Sequence, residues 1–148
     1  MTISDKLAAD MKAAMKSGDK AKLSVIRMLR ADLKNAEIAA GEPLTEEQEQ
    51  KVLAAYAKKR REAREHCVQL GRQDLADKEE FENSVTMSYL PSQLGEAELT
   101  TLIKEKMAET GAEGTKDFGA VMKAVMQVVG SRAEGSTVSA LVRKILSG

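Results

Sequence analysis

Apolar residues recur every three or four positions along most of the chain, and this spacing is typical of amphipathic α-helices. Lys, Glu and Ala, which favour helix, fill many of the positions between them. The pattern predicts seven helices. Their apolar stripes run from Ile3 to Met15, Leu23 to Ala40, Leu53 to Leu70, Leu75 to Tyr89, Leu99 to Ala108, Val121 to Val129 and Val138 to Leu146.

Capping residues, glycine and proline mark where these helices start and stop. The expected N-terminal caps are Ser4, Asp19, Thr45 and Asp74. The expected ends are Gly18, Gly41, Gly71, Gly111 and Gly130, together with Pro91 after the fourth helix. Thr45 followed by Gln48 has the capping-box form, so the third helix is expected from about Thr45 to Leu70, roughly 40 Å in length.

Composition supports an all-α fold with two lobes. Only four of the 148 residues are aromatic and only two are proline, so strands are disfavoured. The proline and glycine punctuation places an N-terminal four-helix lobe at 1–90 and a small three-helix lobe at 91–148, and Ser92 to Gly95 is interpreted as a linker.

The overall charge is balanced, with 23 basic and 23 acidic residues. Zero net charge argues against bulk electrostatic capture of nucleic acid or of a membrane surface. The N-terminal stretch carries Asp5 and Asp10 among its apolar residues, which is unlike a signal peptide, and no segment has the roughly 20 apolar residues that cross a bilayer. With a single cysteine, Cys67, a reducing cytoplasmic setting is expected.

Candidate catalytic chemistry is sparse. His66 and Cys67 are adjacent, so they point about 100° apart on a helix and do not converge as a nucleophile and its base. There is no phosphate-cradling glycine motif and no histidine-rich metal pattern. We therefore expect no catalytic residues, no metal and no cofactor.

One polar residue interrupts the apolar seam of the third helix. The inward positions, at alternating spacings of three and four, are Leu53, Tyr56, Arg60, Ala63, Cys67 and Leu70. An unpaired buried guanidinium is costly, so Arg60 is expected to pair with a carboxylate such as Glu79 or Glu82 rather than project into a wet groove.

Two groups of cations are candidates for nucleic-acid contact. The denser is Lys58, Lys59, Arg61 and Arg64 around Arg60, for which a solvated, ion-paired helix face is the favoured interpretation, since Lys58–Glu62 and Arg61–Glu65 are i,i+4 pairs. The second lies beyond Phe118, where Lys123, Arg132, Arg143 and Lys144 face a single acid, Glu134. There the glycine-bracketed turn from Gly130 to Ser136 feeds a helix start, a general phosphate-binding geometry.

Several strings together resemble the GatB/YqeY family in its stand-alone YqeY-type form. They are Leu23 to Arg30, Arg60 in its KKR context, Gly71 to Ala76, Tyr89 to Pro91, Asp117 to Met122, and then Gly130, Ala133, Gly135, Val138 and Val142. The strings extend over essentially the whole chain, and their order and spacing make the resemblance strong. The chain departs from the usual pattern at Ala120, Lys123 and Glu134, where the family commonly has Lys, Gly and Asp.

The resemblance implies an N-terminal helical lobe followed by a tail-like lobe similar to the tRNA-gripping tail of the amidotransferase subunit GatB. The resemblance implies contact with tRNA, but the catalytic cradle of GatB has no counterpart in this chain. The leading interpretation is therefore a noncatalytic, translation-associated tRNA-binding protein. The alternatives are a protein–protein adaptor with Met-rich helical faces or, by family association only, a carbon–nitrogen ligase with glutamine as amide donor. The candidate RNA contacts are Arg72, Lys123, Arg132, Arg143 and Lys144.

Overall fold

The computed structural model describes residues 1–148 and contains seven α-helices and no strand, which confirms the all-α prediction. No helix is both long and apolar enough to cross a membrane. The chain divides into two compact units, Met1–Pro91 and Ser92–Gly148. The helices are α1 (Ile3–Ser17), α2 (Lys20–Ala40), α3 (Glu46–Gln69), α4 (Gln73–Met87), α5 (Glu96–Thr110), α6 (Phe118–Val129) and α7 (Gly135–Ser147).

The helix ends follow the glycine punctuation, while two of the expected caps are wrong. Gly18, Gly41 and Gly111 take the left-handed conformation that ends a helix, and Thr45 with Gln48 forms the capping box. The cap of α1 is Thr2 instead of Ser4. Asp74 lies inside the first turn of α4, where it bonds Arg72 instead of capping the helix.

The core of the first unit is formed by α1, α2 and the N-terminal half of α3. The fully buried side chains include Leu7 from α1, Ile26 and Leu29 from α2, and Leu53 from α3. Tyr89, just after α4, packs against this core and donates a 2.5 Å hydrogen bond to the Asp10 carboxylate. Burial, and then this bond, raise the pKa of Tyr89 well above its ordinary value.

Beyond this core, α3 and α4 continue as an antiparallel hairpin whose contacts are largely polar. Arg60 Nη1 lies 3.1 Å from Glu79 and 3.5 Å from Glu82, so the predicted pairing of Arg60 is confirmed. Arg64 pairs with Glu80 at 2.5 Å. The inward position expected for Leu70 is wrong, because this side chain is 65% exposed at the hairpin turn.

A buried carboxylate joins α3 to the start of α1. Glu49 is only 4% exposed, and its Oε2 accepts hydrogen bonds from the Ser4 backbone amide (3.1 Å) and the Ser4 hydroxyl (2.6 Å). The positive end of the α1 dipole favours an anion at this place. The other oxygen, Oε1, is buried without a hydrogen-bond partner, so the contact includes an uncompensated desolvation cost.

Glu49→Ala is therefore expected to lower the free energy of unfolding of the first unit by about 1 kcal/mol, since two charge-assisted bonds are lost while one orphaned oxygen is relieved. Tyrosine fluorescence during urea unfolding measures this, because Tyr56 and Tyr89 both lie in the first unit and the chain has no tryptophan. Glu47→Ala is the control, since Glu47 makes only an exposed pair with Lys51. Equal losses in the two variants would contradict the role given to Glu49.

The second unit is a three-helix bundle with an aliphatic core. Ile103 from α5, Val121 and Val125 from α6, and Val138 and Val142 from α7 are fully buried. A short 3₁₀ turn, Thr115–Asp117, joins α5 to α6 and packs against both α6 and α7. This turn brings the end of the α5–α6 connection to the side of α7.

The segment from Ser92 to Gly95 has no regular structure but is anchored to its own unit. The Leu94 amide donates to the Arg132 carbonyl (2.8 Å), and the Gln93 side chain donates to the Ser131 carbonyl (3.1 Å). Arg132 Nε in turn donates to the Ser92 carbonyl (3.1 Å). The interpretation of these residues as a simple linker is thus incomplete, because they form one side of the turn that precedes α7.

Candidate nucleic-acid interface

A recess in the second unit lies between the 3₁₀ turn and the C-terminal end of α7. Its volume is about 460 Å³. The residues that line it combine two cations, two hydroxyls, an aromatic ring and an aliphatic side chain, and none of them is acidic. They are Thr115, Phe118, Arg143, Lys144, Leu146 and Ser147.

Arg143 and Phe118 form the wall of this recess. The guanidinium carbon of Arg143 lies 4.9 Å from the centre of the Phe118 ring, which is a cation–π contact. Phe118 is held at the start of α6, where it packs against the aliphatic core. Arg143 is exposed and has no carboxylate partner, so its charge is held in place without being neutralised.

Lys123 and Lys144 are the other unneutralised cations of the predicted set. Both are exposed, and the side-chain ammonium of neither makes an ion pair or hydrogen bond within the chain. Lys123 lies on α6, on the side away from the buried valines, whereas Lys144 lines the recess on α7. Lys123, Arg143 and Lys144 are called the tail cations below.

Charge is distributed unevenly within the second unit. From Glu96 to Asp117 six acids face three lysines, whereas from Phe118 onward four cations face one acid. The segment that contains α5 is therefore negative in net charge, and the segment that contains α6 and α7 is positive. A neutral chain thus carries a locally positive surface, which the net charge alone conceals.

Two predicted contact residues are already bound by other groups of the protein. Arg132 donates to the Ser92 carbonyl, as described above, and so helps to close the turn before α7. Arg72 makes two bonds to Asp74, at 3.2 and 3.1 Å, and these bonds hold the pKa of the Asp74 carboxyl below its ordinary range. Neither guanidinium is as available to a phosphate as the tail cations are.

The secondary basic patch divides in the same way. Arg61 donates to Asn83 and Arg64 pairs with Glu80, so both side chains hold α4 against α3. Lys58 and Lys59 are exposed and make no ion pair. Two of the four cations of this patch thus remain open to solvent.

The helix start expected to bind phosphate carries a carboxylate instead. Glu134 occupies the N-terminal cap position of α7, and its Oε2 lies 3.4 Å from the Ser136 hydroxyl. The Glu134 side chain makes no capping hydrogen bond to α7, but its negative charge lies at the positive end of the helix dipole. The charge of Glu134 therefore opposes a phosphate at the turn from Gly130 to Ser136, where phosphate binding stays a prediction.

The sequence pattern did not indicate that Thr115 and Ser147 belong to this surface. They are 32 positions apart, and they meet at one recess only because the 3₁₀ turn packs against α7. The sequence feature that marks this turn is the Asp117–Phe118–Gly119 string. Its Asp117 accepts a hydrogen bond from the Glu113 amide (2.9 Å) and so shapes the turn that delivers Thr115 and Phe118.

No group of three or more His, Cys, Asp or Glu side chains is arranged to hold a metal ion. His66 is exposed and Cys67 is half-buried, at neighbouring positions near the end of α3.

Comparison with known families matches residues 4–146 to the family described as Yqey-like protein. The chain belongs to the YqeY-like family. It is also 31% identical over 134 residues to "Altered inheritance of mitochondria protein 41, mitochondrial" of the fungus Pyrenophora tritici-repentis (strain Pt-1C-BFP), a match that covers 88% of this chain and 73% of the fungal protein. The name of that relative refers to mitochondria and specifies no ligand or reaction.

Proposed function

We propose that this YqeY-like protein is a noncatalytic, translation-associated RNA-binding protein that contacts the phosphate backbone of tRNA through the tail cations of its second unit. The observation that carries the proposal is the positive segment of that unit, in which Lys123, Arg143 and Lys144 have no carboxylate partner. Cations without a partner can replace the counterions of a phosphate backbone at no cost in broken ion pairs. The cytoplasm stays the compartment proposed for this chain.

The shape of the surface also suits RNA better than base-specific DNA readout. The chain has four aromatic residues in all, so phosphate contacts are the main contribution expected of its surface. Structured RNA is recognised mainly through its shape, its phosphates and its unpaired nucleotides. A small set of cations on a compact bundle fits that mode and predicts weak binding.

Binding of a tRNA pool should therefore weaken steeply with salt. Three phosphate contacts imply a log–log slope of roughly −2 to −3, so affinity is expected to fall about 20- to 40-fold between 50 and 200 mM salt. Fluorescence anisotropy with labelled tRNA measures this slope. Absence of binding at the lowest salt, or binding insensitive to salt, would contradict the proposal.

A protein–protein adaptor is the second candidate, and the turn of the α3–α4 hairpin favours it. Val68, Leu70 and Leu75 are 52%, 65% and 41% exposed there, which places three large aliphatic side chains near one turn. Affinity purification with and without nuclease separates the two candidates. Partners that persist after nuclease treatment support the adaptor, whereas partners lost with the RNA support tRNA binding.

The remaining alternative is amide transfer with glutamine as donor, as in a carbon–nitrogen ligase. We propose that the purified chain does not catalyse it, since His66 and Cys67 do not face one another on α3 and acyl transfer needs convergent groups. Ammonia release from glutamine by the purified chain, after rigorous removal of host amidotransferase, would contradict this.

A further inference from the structure

We propose that the recess between the 3₁₀ turn Thr115–Asp117 and the end of α7 binds one unstacked nucleotide, with the base against Arg143 and the phosphate at Lys144. The proposal rests on the proposed function, because the ligand is taken to be an unpaired nucleotide of a bound RNA. The shared chemistry is a base joined to a phosphate, and a free nucleotide presents the same groups.

The size of the recess limits the ligand. Small-molecule sites commonly have volumes of about 300 to 1,000 Å³, so a recess of about 460 Å³ accommodates one nucleotide and not a stretch of several. A continuous duplex cannot use such a site, because its bases are stacked on one another and only its backbone reaches a protein surface. The recess therefore selects an unpaired end, loop or bulge.

The wall of the recess supplies the group that contacts the base. The Arg143 guanidinium carbon lies 4.9 Å from the centre of the Phe118 ring, and Arg143 is otherwise exposed. A planar guanidinium whose orientation is fixed by an aromatic ring loses little freedom when a base stacks on its open face. Guanidinium planes and aromatic rings are the side-chain surfaces on which unpaired RNA bases stack.

The remaining lining groups suit a phosphate. Lys144 brings an unpaired ammonium, while Thr115 and Ser147 bring hydroxyls that can donate to phosphate oxygens. The Ser147 hydroxyl, which now donates to the Lys144 carbonyl (3.2 Å), would have to rotate to do so. The nearest acid of the turn, Asp117, is engaged by the Glu113 amide.

Titration of the full-length, ¹⁵N-labelled protein with 5′-AMP tests the recess directly. We expect saturable amide shifts at Thr115, Phe118 and Ser147. Adenosine alone and inorganic phosphate alone are expected to bind at least about tenfold more weakly than 5′-AMP, since each lacks one of the two groups and a tenfold change corresponds to about 1.4 kcal/mol.

Ser147→Glu places a negative charge at the exposed edge of the recess without altering the core, and it should weaken 5′-AMP binding at least about tenfold. Thr137→Glu is the matched control, because it adds the same charge at the opposite end of α7 and should leave binding unchanged. No saturable shifts at the recess, equal binding of phosphate and 5′-AMP, or an unaffected Ser147→Glu variant would each overturn the proposal.

RNA probes distinguish this proposal from the proposed function. An RNA hairpin with an unpaired 3′ overhang should bind the wild type more tightly than a blunt hairpin of equal length. Ser147→Glu should remove this preference, and the weakening that its charge causes beside Lys144 should be equal for the two hairpins. Equal affinity for the two hairpins would overturn the recess as an RNA subsite and leave the proposed function standing. Recess shifts with 5′-AMP but no binding of any RNA would support a free-nucleotide site and contradict the proposed function.

Discussion

Reversal of the tail cations, by Lys123→Glu, Arg143→Glu and Lys144→Glu together, is expected to abolish retention of tRNA. If each cation makes one charge-assisted contact of about 1 kcal/mol or more, loss of the three lowers affinity at least about a hundredfold. Repulsion between the new carboxylates and the phosphates adds to this loss. Anisotropy at low salt measures the change, and circular dichroism checks that helix content is retained.

The matched control reverses three exposed lysines elsewhere on the chain, Lys58, Lys59 and Lys104. These side chains are also unpaired, so the net charge changes by the same amount in both variants. We expect the control variant to bind within a fewfold of the wild type. Loss of binding in the control, with the tail-cation variant unaffected, would assign the contact to these three lysines, two of which belong to the secondary basic patch of α3, and would contradict the tail surface.

Helix positions were largely predictable from the sequence, because their signals are local. A left-handed glycine such as Gly41 or Gly111 ends a helix through its own backbone conformation, and the Thr45–Gln48 capping box acts over three residues. Asp74 shows where such signals fail. An Asp near a helix start can cap the helix or bind a neighbouring cation, and here the Arg72 guanidinium two residues away takes the carboxylate.

The predicted seam of α3 is confirmed at Leu53, Tyr56 and Arg60 and is wrong at Leu70. Leu53 and Tyr56 face the core of the first unit and are buried, as the spacing indicates. Further along, α4 presents Glu79 and Glu80 to α3, and a helix that faces carboxylates orients its arginines inward. Leu70 is the C-cap residue of α3, next to the hairpin turn, and this position leaves it 65% exposed.

The sequence predicts the positive charge of the candidate surface, but it does not predict which of the cations are free to contact a phosphate. The sequence shows where cations lie, but it does not show which of them another group already holds. The partner of Arg132 is a backbone carbonyl 40 residues away, and any residue type could supply it. In the same way the recess depends on Thr115 and Ser147, whose proximity is a property of the three-helix packing.

Arg60→Ala is expected to lower the free energy of unfolding of the first unit by about 2 to 3 kcal/mol. The substitution leaves Glu79 and Glu82 next to each other on α4 without their cation, each with less than 20% of its side chain exposed. It also removes the guanidinium that lies 5.0 Å from the centre of the Tyr56 ring. Breaking a buried ion pair typically costs 3 to 5 kcal/mol, and the 27% exposure of the Arg60 side chain reduces that figure. Tyrosine fluorescence during urea unfolding measures the unfolding of the first unit, because both tyrosines lie in it.

Lys59→Ala is the control for Arg60→Ala, since Lys59 is exposed and unpaired, and its effect should stay within about 0.5 kcal/mol. Arg61 is unsuitable for this purpose because it bonds Asn83. A second variant separates the lost attraction of Arg60 for the two carboxylates from the repulsion between Glu79 and Glu82. Adding Glu79→Gln and Glu82→Gln to Arg60→Ala removes both unpaired charges and should recover about half of the loss, as buried ion pairs replaced by neutral groups often do. If Arg60→Ala costs no more than Lys59→Ala, or the added substitutions deepen its loss, the ion pairs do not hold the α3–α4 hairpin together.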